Sequence, residues 1–484
     1  MKMKTLHTAF AASLAVLLGG CMVGPDYHRP QVPVPAQYKE LPGWTAAAPQ
    51  ADEAPKGDWW TNFNDPLLNQ LEPMVSVSNQ TVRQAYANYQ QAQAEVQVAR
   101  ASLFPTLGIT GAATKQRSTG SSFSSTSLRP SVSTSGSLEG NVSWAPDLWG
   151  KVRRSVEESK ATAQASQATL ANATLSEQVA LADALIELRV TDADIDLLQK
   201  TVDAYTESLR VVANQGSAGT TPPSDVLTAR TQLESARSSL IALGIARAQY
   251  VHAIAVLVGK NPEELDIPHS TSMPALPTMP IGVPSTLLQR RPDIAVAERE
   301  MAAQNAAIGV AVAAYYPNLT LSAADGFSQS PLAGLLHVAN HVWSLGADAS
   351  ETVFDFGARH GEVAAAKAAY EATLANYRGT VLTALQNVED DLSNLRILAQ
   401  QAEVQNAVVS DATQAAQIAL NEYQAGTVDY TTAATAQATQ LSAQQNALSI
   451  QQQRLLDTVS LIGDMGGGWT ADQLDTSRKS TAER

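Results

Sequence analysis

Leu103-Phe104-Pro105-Thr106-Leu107 and Tyr315-Tyr316-Pro317-Asn318-Leu319 are one phrase written twice, an aromatic-proline pair leading into an alternating apolar stretch. Two further matches follow in the same order. Asp147-Leu148-Trp149-Gly150 recurs as Asp355-Phe356-Gly357, and Thr231-Gln232-Leu233 with Leu240 recurs as Thr439-Gln440-Leu441 with Leu448. The offsets are 212, 208 and 208 residues. Chance supplies one such match, hardly three in order at nearly one spacing. The chain is therefore a tandem duplication with a period of about 210 residues.

Each copy opens with a predicted helix, Asn79 to Leu103 and Pro292 to Ala314. Asn79 is a capping side chain, and Pro292-Asp293 supplies a first-turn proline and acid. Both helices stop at the aromatic-proline pair, because the residue before proline is pushed out of the helical region. Strands follow. Leu107, Ile109, Gly111 and Ala113 alternate with Thr106, Gly108, Thr110 and Ala112, and Leu138, Gly140, Val142 and Trp144 with Ser137, Glu139, Asn141 and Ser143. The second copy gives Leu319, Leu321 and Ala323, then Trp343, Leu345 and Ala347 opposite Ser344, Gly346 and Asp348. Lys115 to Ser135 is Ser/Thr/Gly-rich and reads as a surface loop. The alternation suits membrane-barrel strands, and it suits a half-buried soluble sheet equally well.

The helices that follow separate the two. From Lys151 to Ala213 there is neither proline nor glycine, and Leu181, Ala184, Leu188, Thr191, Ile195, Leu198, Val202, Tyr205, Leu209 and Val212 form one seam. After a turn at Gly216 to Pro223, Val226, Ala229, Leu233, Ala236, Leu240, Leu243, Tyr250, Ile254 and Leu257 form another. Sustained three-four spacing predicts an antiparallel coiled-coil hairpin whose first arm reaches about 95 Å. The second copy repeats it from about Ala358 to Tyr423 and Asp429 to Ile462, joined near Gly426. A plain helical rod has no use for the strands. Four strands cannot close a barrel, since about eight is the practical minimum, and open edges are not tolerated in lipid. The chain must then pool strands with copies of itself, and three copies supply twelve strands and twelve helical arms.

The N-terminus points to export. Lys2 and Lys4 precede a short apolar stretch, Phe10 to Leu18, ending in Leu18-Gly19-Gly20-Cys21. The stretch is too short to span a membrane, which takes about 20 residues. Leu-Gly-Gly-Cys resembles a bacterial lipobox, in which Cys21 receives diacylglycerol and a further acyl chain such as palmitate and becomes the new N-terminus; the alternative is an ordinary secretory signal. Met22, not Asp, follows it, which resembles lipoproteins sorted to the outer membrane. Cys21 is the only cysteine, so no internal disulfide forms. Pro25, Pro30, Pro33, Pro35 and Pro42 then describe an extended tether. Trp59 and Trp60 read as packing anchors, and Asp65-Pro66 as a helix start.

The formal charge of −14 becomes −16 once Lys2 and Lys4 leave, which argues against nucleic acid as a partner. No catalytic constellation stands out among the seven histidines. His337 and His341 have the spacing of a metal pair but lie in a loop reading without a third ligand, and Gly466-Gly467-Gly468 lacks the lysine of a phosphate loop. No enzyme, metal or cofactor is expected beyond the lipid on Cys21. The tail after Trp469 is polar and reads as disordered.

Several motifs carry a resemblance. They are Cys21-x-Val23-Gly24-Pro25-x-Tyr27-x-Arg29-Pro30, Trp59-Trp60-x-x-Phe63-x-Asp65-Pro66, Arg290-Arg291-Pro292-Asp293-Ile294, Ala297-Glu298, the two aromatic-proline strand starts and Gly466-Gly467-Gly468-Trp469. On these the chain resembles the TolC-like outer-membrane factor family, in its NodT-type lipoprotein branch, over nearly all of its mature length. The resemblance implies an α+β membrane protein, a homotrimer whose 12-stranded β-barrel continues into a periplasmic α-barrel of helical hairpins. It implies an outer-membrane exit duct that docks a periplasmic adaptor and an inner-membrane pump and exports drugs or other small toxic compounds. The rival reading is a lipid-anchored periplasmic coiled-coil adaptor or structural spacer.

The expected organisation is a signal peptide (1–20), an acylated tether (21–60), a first repeat (61–260, with β-hairpin 104–147 and helical hairpin 150–258), a linker (261–290), a second repeat (291–463, with β-hairpin 316–355 and helical hairpin 358–463) and a tail (464–484). By the resemblance, hairpin tips at Gly216, Gly219 and Gly426 dock the adaptor, and residues after the second tip close the periplasmic end. Relatives tend to have Tyr-x-x-Gly, then a leucine and an Asp-Ala-Gln-Arg run. This chain keeps Tyr423-Gln424-Ala425-Gly426 and Tyr430, but has Thr431 at the leucine and Thr435-Ala436-Gln437-Ala438 at the charged run. A polar gate of Thr431 and Thr435, helped by Asp429, is the expectation. Glu139 and Asp348, at matching places in the copies, are expected to face the lumen.

Overall fold

The computed structural model describes residues 22–40, 57–118, 131–277 and 287–478. The signal segment and Cys21 lie outside them. In chain order the elements are α1 (Pro66–Ser78), α2 (Gln80–Ala101), β1 (Thr106–Ser118), β2 (Ser131–Trp144), α3 (Lys151–Ser217), α4 (Pro223–Leu257), α5 (Leu287–Arg290), α6 (Pro292–Ala313), β3 (Asn318–Gln329), β4 (His341–Ser350), α7 (Ala358–Gln424) and α8 (Tyr430–Asp464). Helices of the two copies match in length: α2 and α6 have 22 residues each, α3 and α7 67, and α4 and α8 35. The longest run for about 100 Å each.

The chain divides into two compact units. One comprises Met1–Pro30, Gln90–Ala165 and Glu298–Asn376, and the other Gln31–Tyr89, Ser166–Ala297 and Tyr377–Arg484. In the first, the strands form one antiparallel sheet in the order β1-β2-β3-β4. The central β2–β3 ladder, from Gly136↔Gln329 to Trp144↔Leu321, joins the two copies. β1 extends to Ser118 and β2 begins at Ser131, so Lys115–Ser118 and 131–135 belong to the ladder and not to the loop expected there. Lys115, Arg117 and Gln116 keep the two-residue alternation beyond Ala113, pairing with Thr134, Val132 and Ser133, and the Ser/Thr-rich composition did not end it. Residues 119–130 lie outside the described set. Among the described residues β1 and β4 have no partner strand on their outer edges.

Residues 22–30 are extended, as their prolines require, yet they are laid against this unit and do not hang free. Arg154, 1% exposed, holds them: Nε donates to the Val23 carbonyl (3.1 Å), and Nη2 to the Gly24 carbonyl (3.2 Å) and Asp26 Oδ1 (2.8 Å). Asn305 Nδ2 donates to the Pro25 carbonyl (3.0 Å), and the Tyr27 hydroxyl donates to Glu298. Gly24 (φ +91°) lies so close to α6 that a Cβ there would come within 2.5 Å of the Gly309 Cα. Only glycine fits.

The second unit packs around Trp59, Trp60, Phe63, Leu68, Leu71, Leu181, Leu185, Leu188, Ile254 and Val459. Trp59 meets Trp60 and Phe63 edge-on, with ring centroids 5.9 and 6.2 Å apart. Asp65 caps α1, accepting the amides of Leu67 (2.8 Å) and Leu68 (3.1 Å), with Pro66 at the first helical position. The remaining tether residues described here are also fixed, since the amides of Lys39 and Glu40 donate to the Glu389 carboxylate at 2.7 and 2.9 Å. The described part of the tail expected to be disordered instead forms a 3-10 helix, Ala471–Arg478, whose Gln473 carbonyl accepts from Gln167 Nε2 (3.2 Å), and 479–484 lie outside the described residues. A side-chain donor in α3 supplied order that polar composition did not announce.

Candidate functional site

The ladders give the sheet two chemically different faces. One carries Leu107 and Ile109 of β1, Leu138, Val142 and Trp144 of β2, Leu319, Leu321 and Phe327 of β3, and Trp343 and Leu345 of β4. The other carries Thr106, Thr110, Glu139, Asn141, Ser143, Thr320, Ser322, Ser344 and Asp348. Glu139 pairs with Thr110 and Gly326, and Asp348 with Thr320, so both carboxylates stand on the polar face. Asp325 breaks the apolar face and is paired: its Oδ1 lies 2.7 Å from Nε2 of His341 on the same face. His337 precedes a 3-10 turn, Val338–Asn340, and His341 begins β4, so the two imidazoles do not share a helix. Among the described residues no group of three His, Cys, Asp or Glu side chains is placed to hold a metal ion.

The second site is the end of the long hairpins. Gly219 (φ +73°) and Gly426 (φ +76°) supply the left-handed residues that end α3 and α7, while Gly216 lies inside the last turn of α3. Val212, Ala229, Ala419, Tyr423, Tyr430, Ala433 and Ala434 pack beneath the turns. Alanine at four of these positions lets the helices approach closely, and the tyrosine rings meet edge-on at 5.3 Å. Their hydroxyls find neutral partners on the first hairpin. Tyr423 donates to Gln215, and Tyr430 donates to Gln232 Oε1 at 3.2 Å, while Gln232 Nε2 donates to the Ala434 carbonyl at 3.2 Å. Burial raises the Tyr423 phenol and pushes Tyr430 up to about 12, keeping both protonated as donors. Gln215 was not singled out from sequence, and Gln232 entered only as part of the repeated Thr-Gln-Leu phrase, because a glutamine within a heptad does not name a distant partner.

Asp429 caps α8. Its Oδ1 accepts the Thr432 amide (3.0 Å) and hydroxyl (2.9 Å), and these bonds hold its carboxyl below the usual range. It stands at the start of the helix that carries Thr431 and Thr435 rather than bonding to either. Thr431, Thr435 and Thr439 are exposed or half-exposed on α8. The Thr435 hydroxyl donates back to the Thr431 carbonyl (2.8 Å) and Thr439 to Thr435 (2.9 Å), leaving lone pairs outward and no charge. Hollows of about 480 and 520 Å³ flank this ladder, one lined by Ala412, Asp429 and Thr432, the other by Leu227, Thr228 and Thr231.

Comparison with known proteins gives the family. The outer membrane efflux protein family matches residues 73–260 and 283–467. The toluene efflux pump outer membrane protein TtgC of Pseudomonas putida is 29% identical over 473 residues, 98% of each chain. The solvent efflux pump outer membrane protein SrpC of Pseudomonas putida is 30% identical over 476 residues, covering 95% of this chain and 97% of its own. The solved structure of the outer-membrane channel OprN superposes with a TM-score of 0.86 at 30% identity, over 93% of this chain and all of the other. The chain belongs to the outer membrane efflux protein family, whose members form the channels through which efflux pumps empty across the outer membrane.

Proposed function

We propose that three copies of the chain close the duct, and that it passes small toxic organic compounds handed to it by an inner-membrane pump through a periplasmic adaptor. The carrying observation is the sheet: four strands with one apolar face and two open edges, too few to close and unable to stay open in lipid. β1 and β4 run in opposite directions, so copies join edge to edge by further antiparallel pairing. The names of relatives, for toluene, solvents and antibiotics, support apolar organic cargo. Cys21 carries the lipid that holds the N-terminus at the membrane, and the turns at Gly216, Gly219 and Gly426 meet the adaptor.

In this reading the polar face of the sheet lines the lumen. Glu139 and Asp348 then contribute six carboxylates to a trimer and favour cations by focusing the field. The tip closes by neutral contacts, with Thr431 and Thr435 lining the opening in place of an apolar or ionic constriction. A duct with few specific contacts leaves the choice of cargo to the pump. The test is reconstitution of the purified protein in planar lipid bilayers. Discrete conductance steps are expected; an adaptor or a spacer gives none, and a silent bilayer would overturn the proposal.

A further inference from the structure

β1 carries its apolar alternation through Leu107, Ile109, Gly111 and Ala113, and the same face then turns positive at Lys115 and Arg117. Both side chains are exposed. β1 starts at the helical side of the sheet, at Thr106, so these two residues stand at its far end. A strand rises about 3.4 Å per residue, and a membrane strand tilts by about 40°. Lys115 and Arg117 are then about 21 and about 26 Å further along the membrane normal than Leu107. That is the rim of an apolar band about 25 Å tall.

Among the described residues no acid on this face answers them. Their cross-strand partners on β2 are Thr134 and Val132. The one described acid of the face, Asp325, lies in the row of Ile109, Gly140 and Trp343, and its carboxylate is taken by His341. That row is about 20 Å short of Lys115 along the strands. Closure by β4 of a neighbouring copy adds no acid, because β4 shows His341, Trp343, Leu345, Ala347 and Ala349 on this face. The surrounding sequence has the same bias. From Val96 to Leu138 there is no Asp or Glu, while Arg100, Lys115, Arg117 and Arg129 all fall there. In a chain of formal charge −14 this is a local reversal of sign.

We propose that Lys115 and Arg117 together bind the phosphates of a lipid headgroup in the outer leaflet of the outer membrane. Their long stems can lie along the apolar band while the charged ends reach headgroup level. The guanidinium takes phosphate oxygens two at a time, and the ammonium adds a point charge. A lipid is favoured over free phosphate because the face leading to the pair is apolar and open. Leu107 and Ile109 are exposed to 79% and 83%, a surface for acyl chains directly below the headgroup. The second copy has no counterpart, since β3 ends this face with Asp325, Phe327 and Gln329. Each chain thus supplies one such site. The inference rests on the sheet crossing the bilayer as proposed above.

The test is native mass spectrometry of the full-length protein titrated with lipid A carrying both its phosphates. Wild type is expected to bind it, and Lys115→Gln with Arg117→Gln to weaken binding about tenfold, since two charge-assisted contacts are lost. Lys367→Gln with Arg378→Gln, which removes the same charge from exposed positions of α7, should leave binding unchanged. Wild type should also bind lipid A stripped of one phosphate several-fold more weakly, a comparison that stands even if the double variant fails to assemble. Equal binding by wild type and the Lys115/Arg117 variant, or an equal loss in the α7 variant, would overturn the proposal. Displacement of the lipid by inorganic phosphate would make the pair a site for free phosphate and overturn it equally. A wild type that conducts in planar bilayers but does not bind lipid A overturns this inference alone. One that neither conducts nor binds takes the membrane crossing with it.

Discussion

The Tyr423 hydroxyl donates its hydrogen bond to the side-chain oxygen of Gln215, tying the second helical hairpin to the first without a charge on either side. A neutral bond of this kind contributes about 0.5–1.5 kcal/mol, so its loss shifts a closed–open balance by up to about tenfold. Tyr423→Phe is therefore expected to raise the open fraction of single channels in planar bilayers several-fold, and Tyr423→Phe with Gln232→Leu to raise it further. Added salt should change this little, because no ion pair is broken. Identical open fractions in wild type and both variants would remove the tyrosines from gating.

Thr431 and Thr435 stand exposed in the first turns of α8, after Asp429. Leucine at either position replaces a wettable surface with an apolar one of larger volume. Thr431→Leu and Thr435→Leu should each lower single-channel conductance while the trimer stays intact on native gels. Unchanged conductance would assign these threonines to the helix surface and nothing more.

Glu139 and Asp348 share the polar face of the sheet. If that face lines the lumen, the reversal potential across a salt gradient shows cation preference, and Glu139→Gln with Asp348→Asn reduces it. The effect should be larger at low ionic strength, where the screening length is longer. A wild-type channel without preference would count against the lumen assignment.

Glu72 is buried in α1 with neither carboxylate oxygen hydrogen-bonded among the described residues, and burial pushes its carboxyl up to about 9. The folded chain thus keeps a proton that the unfolded chain releases in the ordinary carboxylate range. The linked stability is fully present below that range and is lost as pH rises towards about 9. Glu72→Leu should flatten the dependence of melting temperature between about pH 5 and about pH 9 and should stabilise at the upper end. Equal pH dependence in both proteins would show that Glu72 has partners in solution.

Arg154 satisfies the carbonyls of Val23 and Gly24 from a buried position. Arg154→Met keeps most of the volume and orphans those acceptors, at about 1–3 kcal/mol. Chymotryptic cleavage after Tyr27 should accelerate relative to cleavage elsewhere in the chain. An unchanged digestion pattern would mean that Asn305 and Glu298 hold the segment by themselves.

Much of this architecture is carried by local signals. Pro105 and Pro317 announce where helices stop, Asp65-Pro66 where one begins, and period-two residues where strands lie. Similar phrases at nearly one offset expose the duplication without any knowledge of contacts. Missing from local sequence is whatever depends on a partner far along the chain. The proline-rich segment reads as a tether because nothing in 22–30 names Arg154, Glu298 or Asn305. The tyrosines of the tip could be placed by their motif, but their partners Gln215 and Gln232 sit about 200 residues earlier. Asp429, expected to help the gate, also caps α8, and that bond depends on where its neighbour Thr432 falls.

Gly24 against Gly309 also fixes an order of events. The segment that leaves the exporting machinery first makes bonds to residues 271 and 280 positions later, Glu298 and Asn305. It can settle only after α6 exists and has packed, because the glycine-to-glycine approach leaves no room for a loosely formed helix. Closing so long a loop is slow, and its entropy is met only at the end. The N-terminal residues of the described chain thus wait for α6, and a docked N-terminal segment marks a protomer in which α6 has already packed.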